Sequence, residues 1–141
     1  MFLLQKKMSR LSLLILMHAF IPNLPAMYGE KENKVITLTD ENFEEVLSSD
    51  KLVIIDFGAD WCTPCKRLKS TIEKLAKDKE YGDQIIVAKL DVSTYSDLAE
   101  EFDIQLIPTI IFFQNRIEVK RLMGTKKLKA LKKVIIECLR E

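Results

Sequence analysis

Two cysteines separated by two residues, in Trp61-Cys62-Thr63-Pro64-Cys65-Lys66, are the residues of this chain best suited to covalent chemistry. A helical turn brings side chains at that spacing together, so the two thiols can close a small disulfide ring. The pair follows the apolar run Leu52-Val53-Ile54-Ile55-Asp56-Phe57 and precedes a helical pattern, which puts Cys62 at a helix opening. The unsatisfied N–H groups and the dipole of a helix N-terminus favour an anion, so Cys62 is expected to supply thiolate near neutral pH. Cys65, about one turn further in, is expected to be less exposed and closer to an ordinary thiol. Pro64 suits a first helical turn, where its missing N–H costs nothing, and it stiffens the segment that holds the sulfurs. In this reading Cys62 attacks and Cys65 resolves.

The same spacing also occurs in structural disulfides and in zinc sites. A tetrahedral zinc needs about four ligands. Only Cys138 and His18 remain, and His18 lies in a stretch expected to be removed, so no metal is expected. Cys138 falls on the apolar stripe Leu128, Leu131, Ile135, Cys138 and reads as a small buried hydrophobe.

The elements that must hold the pair are legible in order. Val35-Ile36-Thr37-Leu38 is a short strand, and Thr39-Asp40 opens a helix carrying Phe43, Val46 and Leu47. Leu52 to Phe57 is too continuously apolar for a half-exposed strand and belongs inside a sheet covered on both faces. Leu68, Ile72, Leu75 and Ala76 mark a helical stripe that Tyr81-Gly82 should stop, and Gln84 to Asp91 is a second buried strand. Ser93-Thr94-Tyr95-Ser96 opens a short helix with Leu98, Ala99 and Phe102 inward. Thr109 to Phe113 and Ile117 to Arg121 form a hairpin about Gln114-Asn115-Arg116, its second strand at an edge. Gly124 breaks the pattern, and Thr125 can cap a final amphipathic helix. Three strand–helix units followed by two strands and a helix make an α/β fold, a mixed sheet sandwiched by helices.

At 141 residues and 48% hydrophobic content, the chain suits a single packed domain. Its formal charge of +1 gives no argument for nucleic acid, and no nucleic-acid partner is expected. Lys6, Lys7 and Arg10 precede the apolar stretch 11–21, followed by Pro22 and Pro25-Ala26, in the order of a secretory signal. The stretch is shorter than the roughly 17 residues that span a bilayer. Leu24 is larger than the small residue such a cleavage site wants, so residues 1–26 are expected to be a signal peptide or an uncleaved membrane anchor. Cleavage after Ala26 would leave 19 basic against 21 acidic residues, a balance of −2. Residues 27–34 read as a linker and 35–141 as the domain. Outside the cytoplasm a thiol pair meets oxidising surroundings and stays reduced only if electrons are supplied.

From Val35 to the C-terminus the sequence resembles the thioredoxin family. Asp56-Phe57-Gly58-Ala59-Asp60-Trp61-Cys62-Thr63-Pro64-Cys65-Lys66 matches the active-site stretch, and Ala88-Lys89-Leu90-Asp91 the third strand. Ile107-Pro108-Thr109 matches the cis-proline loop, and Gly124 a late glycine. The resemblance implies a thioredoxin-like three-layer sandwich and a thiol–disulfide oxidoreductase whose redox group is the Cys62–Cys65 bond itself, with no cofactor. It implies that Asp56 lies beneath the cysteines as a buried acid exchanging a proton with Cys65, with Lys89 as its neighbour. A structural Asp–Lys pair is the alternative. It further implies that Pro108 is cis, that the Ile107 backbone pairs an extended substrate, and that Trp61, Thr63, Pro64 and Gly124 complete the surface receiving a protein disulfide.

Three positions depart from the family pattern: Thr63 replaces a glycine, Gly58 a frequent aromatic and Ser70 a kinking proline. No histidine precedes Cys65, which favours a reductant over a disulfide donor. An exported reductant implies a membrane electron donor, and a monomer is expected. A disulfide-donating oxidant and a non-catalytic binding or chaperone module are the rival readings.

Overall fold

The computed structural model describes residues 34–140. The expectations for residues 1–26, and for all of the 27–34 linker except Lys34, lie outside the described residues. The elements are β1 (Ile36–Thr37), α1 (Phe43–Leu47), β2 (Leu52–Gly58), α2 (Thr63–Ala76), β3 (Ile85–Asp91), α3 (Ser96–Glu101), β4 (Thr109–Gln114), β5 (Ile117–Met123) and α4 (Leu128–Cys138). The five strands form one sheet in the order β1-β3-β2-β4-β5. The β1–β3 and β3–β2 pairs are parallel, and the β2–β4 and β4–β5 pairs are antiparallel. This is the expected mixed sheet, with β2 at its centre.

The continuous apolar run of β2 is explained by burial on both faces. Alternation sends Leu52 and Ile54 to one side, where they pack with Leu68, Ile72 and Leu75 of α2 and Leu131, Val134, Ile135 and Cys138 of α4. Val53, Ile55 and Phe57 point the other way, toward Phe43 and Leu47 of α1, Leu98 of α3 and Phe102 at the end of α3. Phe102 ties that second layer together, its ring centroid 5.3 Å from that of Phe43 and 5.4 Å from that of Phe113. Fully burying side chains of this size contributes roughly 1.5–3 kcal/mol each. Cys138 is buried in the first layer, as expected for a small hydrophobe.

Several boundaries differ from the sequence reading. The first helix starts at Phe43 with Asn42 as its N-cap residue, not at Thr39-Asp40, because the Asn42 Oδ1 accepts the Thr39 N–H at 2.8 Å and holds a turn ahead of the helix. The long helix ends at Ala76, short of Tyr81-Gly82. Tyr81 is instead buried against the α2–α4 layer, and the chain needs the intervening loop to deliver it there. Thr125 does not cap the last helix, whose N-cap residue is Lys127 with no side-chain cap. The hairpin turn is tighter than three residues. Asn115 and Arg116 alone connect β4 and β5, both at positive φ (51° and 68°), the signs of a type I′ turn that suits strand twist. Among the described residues no helix is long and apolar enough to cross a membrane.

Candidate active site

Cys62 and Cys65 are joined in a disulfide where β2 hands over to α2. Cys62 is the N-cap residue of α2, and its Sγ accepts the backbone N–H of Cys65 at 3.2 Å. That N–H is one of the donors a helix start leaves without a backbone partner, so the contact meets negative charge on the Cys62 sulfur. Thr63 and Pro64 are the first two residues of α2, where Pro64 interrupts no helical hydrogen bond.

The expectation that Cys65 would be the more hidden sulfur residue does not hold. Cys62 is 4% exposed and Cys65 8%. Ala59, Val92 and Ile107 pack around the pair. On the β2 side, however, Cys65 faces Gly58, which has no side chain to cover it. A Cβ built on Gly58 would stand 3.3 Å from Cys65 Sγ and 3.4 Å from its Cβ.

Asp56 lies two residues before Gly58 on β2, hence on the same face of the sheet as Gly58 and Cys65. Its Oδ1 is shielded from solvent and has no hydrogen-bond partner among the described residues. Burial pushes its carboxyl up from 3.8 to about 7, against the opposing pull of the Lys89 ammonium. Lys89 stands beside it in register on β3, with an exposed side chain. A cavity of about 410 Å³ lies on this side, with Asp56, Gly58, Cys65, Lys89, Asp91 and Thr94 among its walls.

The other sequence-predicted residues lie outside the walls of this cavity. The Ile107–Pro108 peptide is cis, and the Pro108 carbonyl accepts the Gly124 N–H at 2.7 Å. Gly124 has φ of 78°, a conformation side chains disfavour, which explains a glycine there. Half-buried Ile107 packs against the disulfide, whereas Trp61 is 70% exposed. None of Trp61, Cys62, Ile107 and Pro108 lines the cavity. Sequence reasoning missed Ser93, whose Oγ accepts the Trp61 Nε1–H at 2.9 Å and anchors the indole across 32 residues of chain. It also treated Gly58 only as a departure from pattern. Nothing in local spacing points to either role, because both arise where separate elements meet. Among the described residues no three His, Cys, Asp or Glu side chains cluster to hold a metal ion.

Residues 34–137 match the thioredoxin family model. The chain is 38% identical over 112 residues to a thioredoxin of Mycolicibacterium smegmatis, covering 77% of this chain and 98% of that protein. It is 45% identical over 97 residues to a bifunctional thioredoxin reductase/thioredoxin of Mycobacterium leprae, covering 68% of this chain and 21% of that protein. Among solved structures, Malassezia sympodialis thioredoxin superposes with a TM-score of 0.67 at 32% identity, covering 74% of this chain and 90% of that one. With the fold, the helix-capping disulfide and these likenesses in agreement, the chain belongs to the thioredoxin family, disulfide oxidoreductases whose redox group is part of the protein itself.

Proposed function

We propose that this protein reduces or exchanges disulfides in exported proteins, with Cys62 as attacking thiolate and Cys65 as resolving thiol. The observation that carries the order of attack is the Cys65 N–H directed at Cys62 Sγ from the first turn of α2, which favours charge on Cys62. Cys62 thiolate attacks a partner disulfide, forming a mixed disulfide and releasing one partner thiolate. Cys65 then passes its proton to Asp56 and attacks Cys62 Sγ, which closes the internal disulfide and frees the second partner thiolate. Asp56 suits the proton step because burial holds its pKa near working pH. Lys89 acts beside it by limiting that rise. Trp61, Thr63, Pro64, Ile107, Pro108 and Gly124 form the receiving surface, with the Ile107 backbone pairing the partner's extended segment.

Two features support the reducing direction. Pro64, not a histidine, precedes Cys65, so no imidazolium adds to the stabilisation of the Cys62 thiolate. The Mycobacterium leprae relative also joins a thioredoxin to a thioredoxin reductase by name. The basic-then-apolar order of the first 26 residues supports export, cleaved or anchored, and an exported reductant needs a membrane partner to deliver electrons. The domain acts as a monomer in this reading. Equilibration against glutathione buffers tests the direction. A potential near −270 mV, about that of thioredoxin, is expected, and one near −120 mV, about that of the strongest donors, would make the protein an oxidant.

A further inference from the structure

Trp61 is 70% exposed, so packing does little to fix its indole, and the hydrogen bond that ties it down is the Nε1–H donated to Ser93 Oγ at 2.9 Å. Ser93 is itself anchored through its backbone. The Asp91 Oδ1 accepts the Ser93 N–H at 2.8 Å and the Thr94 N–H at 3.0 Å, a side-chain turn that fixes the loop leaving β3. Asp91 pairs in register with Gly58 at the end of β2, and the Val92 N–H donates to the Gly58 carbonyl at 2.9 Å. The loop is therefore tied to the strand that leads into the cysteines. Two consecutive residues of it serve the site: Val92 packs against Ala59, Cys62 and Cys65, and Ser93 holds the indole of the residue that precedes Cys62.

We propose that Ser93 is a positioning residue for protein partners: it holds the Trp61 indole in the orientation in which the receiving surface meets a partner's chain, and small disulfides do not need it. The proposal rests on the place of Trp61 in that surface, with Ile107 and Pro108, and on neither export nor redox direction. An unanchored side chain as exposed as Trp61 samples several rotamers, and a partner that packs on it must freeze them, which weakens binding. With the hydrogen bond in place, that ordering is done before the partner arrives. A small disulfide reaches Cys62 without covering the indole, so its rate does not register the loss. The effect is limited in size, because an exposed hydrogen bond competes with water. The Ser93 hydroxyl serves here as an acceptor, a role that threonine can fill and alanine cannot.

Trp61 is the only tryptophan of the chain, so fluorescence anisotropy reads its indole alone. The test measures that anisotropy decay in the full-length protein, and the second-order rates at which the reduced protein attacks insulin, a protein with disulfides, and cystamine, a small disulfide. In Ser93→Ala the indole is expected to depolarise faster and the insulin rate to fall about threefold to tenfold, with the cystamine rate within about twofold of the parent. Ser93→Thr should restore both the anisotropy and the insulin rate. An unchanged anisotropy or insulin rate in Ser93→Ala, an equal loss with both disulfides, or no recovery in Ser93→Thr would overturn the proposal. Trp61→Ala separates that failure from failure of the receiving surface. If it too leaves the insulin rate unchanged, Trp61 has no place in that surface and the proposal falls with it. If it slows insulin while Ser93→Ala does not, only the positioning role of Ser93 is lost.

Discussion

Asp56 is a carboxylic acid whose Oδ1 is shielded from water and has no hydrogen-bond partner among the described residues, and its cost is a function of pH. Its pKa rises from 3.8 to about 7 on folding, so the folded state holds the proton more tightly than the unfolded chain. That contribution is fully present below about pH 4 and is lost as pH climbs through about 7. Asp56→Asn is therefore expected to be more stable than the parent by on the order of 2–4 kcal/mol at pH 8, the gain shrinking toward pH 4. Urea denaturation across that range checks the sign. The same substitution should slow resolution on the order of a hundredfold near neutral pH. Unchanged kinetics would return Asp56 to a structural role beside Lys89. Cys65→Ser makes the complementary prediction: Cys62 still attacks, nothing resolves, and partner proteins accumulate as adducts released by reductant. Absence of such adducts would reverse the assigned order.

At the scale of elements, α2 and the β4–β5 hairpin are held by different means. The opening of α2 is set by Cys62 and Pro64 and buried through Leu68, Ile72 and Leu75, so its position depends on the core and not on exposed charges. The hairpin closes through Asn115 and Arg116, and a non-glycine residue at positive φ is strained. Arg116 also pairs with Glu44, but both side chains are exposed, and such pairs are worth little. Arg116→Gly is therefore expected to raise stability by about 0.5–1 kcal/mol, since a glycine in the second position of this turn relieves the strain. A lower unfolding midpoint would show that the Glu44 pair outweighs the backbone.

For the whole molecule, compartment decides the state of the dithiol. If the first 26 residues direct export, the protein belongs in a periplasmic or equivalent fraction, soluble if cleaved and membrane-bound if not. Without an electron donor the Cys62–Cys65 pair should then accumulate as the disulfide. Fractionation with thiol trapping measures both, and a full-length cytosolic protein with reduced thiols would sink export and the membrane donor together.

The sequence by itself determined the element order, the two-sided burial of β2, the hairpin and the placement of Cys62 at a helix start, because each is written in local periodicity or in a short motif. It also marked Asp56 as anomalous, since an acid inside an apolar strand is expensive anywhere. Helix limits at Asn42, Ala76 and Lys127 were not legible, because a turn, a buried Tyr81 and the packing of α4 settled them. Only the tertiary structure decided that Ser93 anchors Trp61 and that Gly124 meets Pro108. It alone decided that Cys65 packs closely against Gly58 and that Cys65, not Cys62, lines a cavity. Those contacts join residues from different strands and helices, and their geometry exists only once the sheet has brought the elements together.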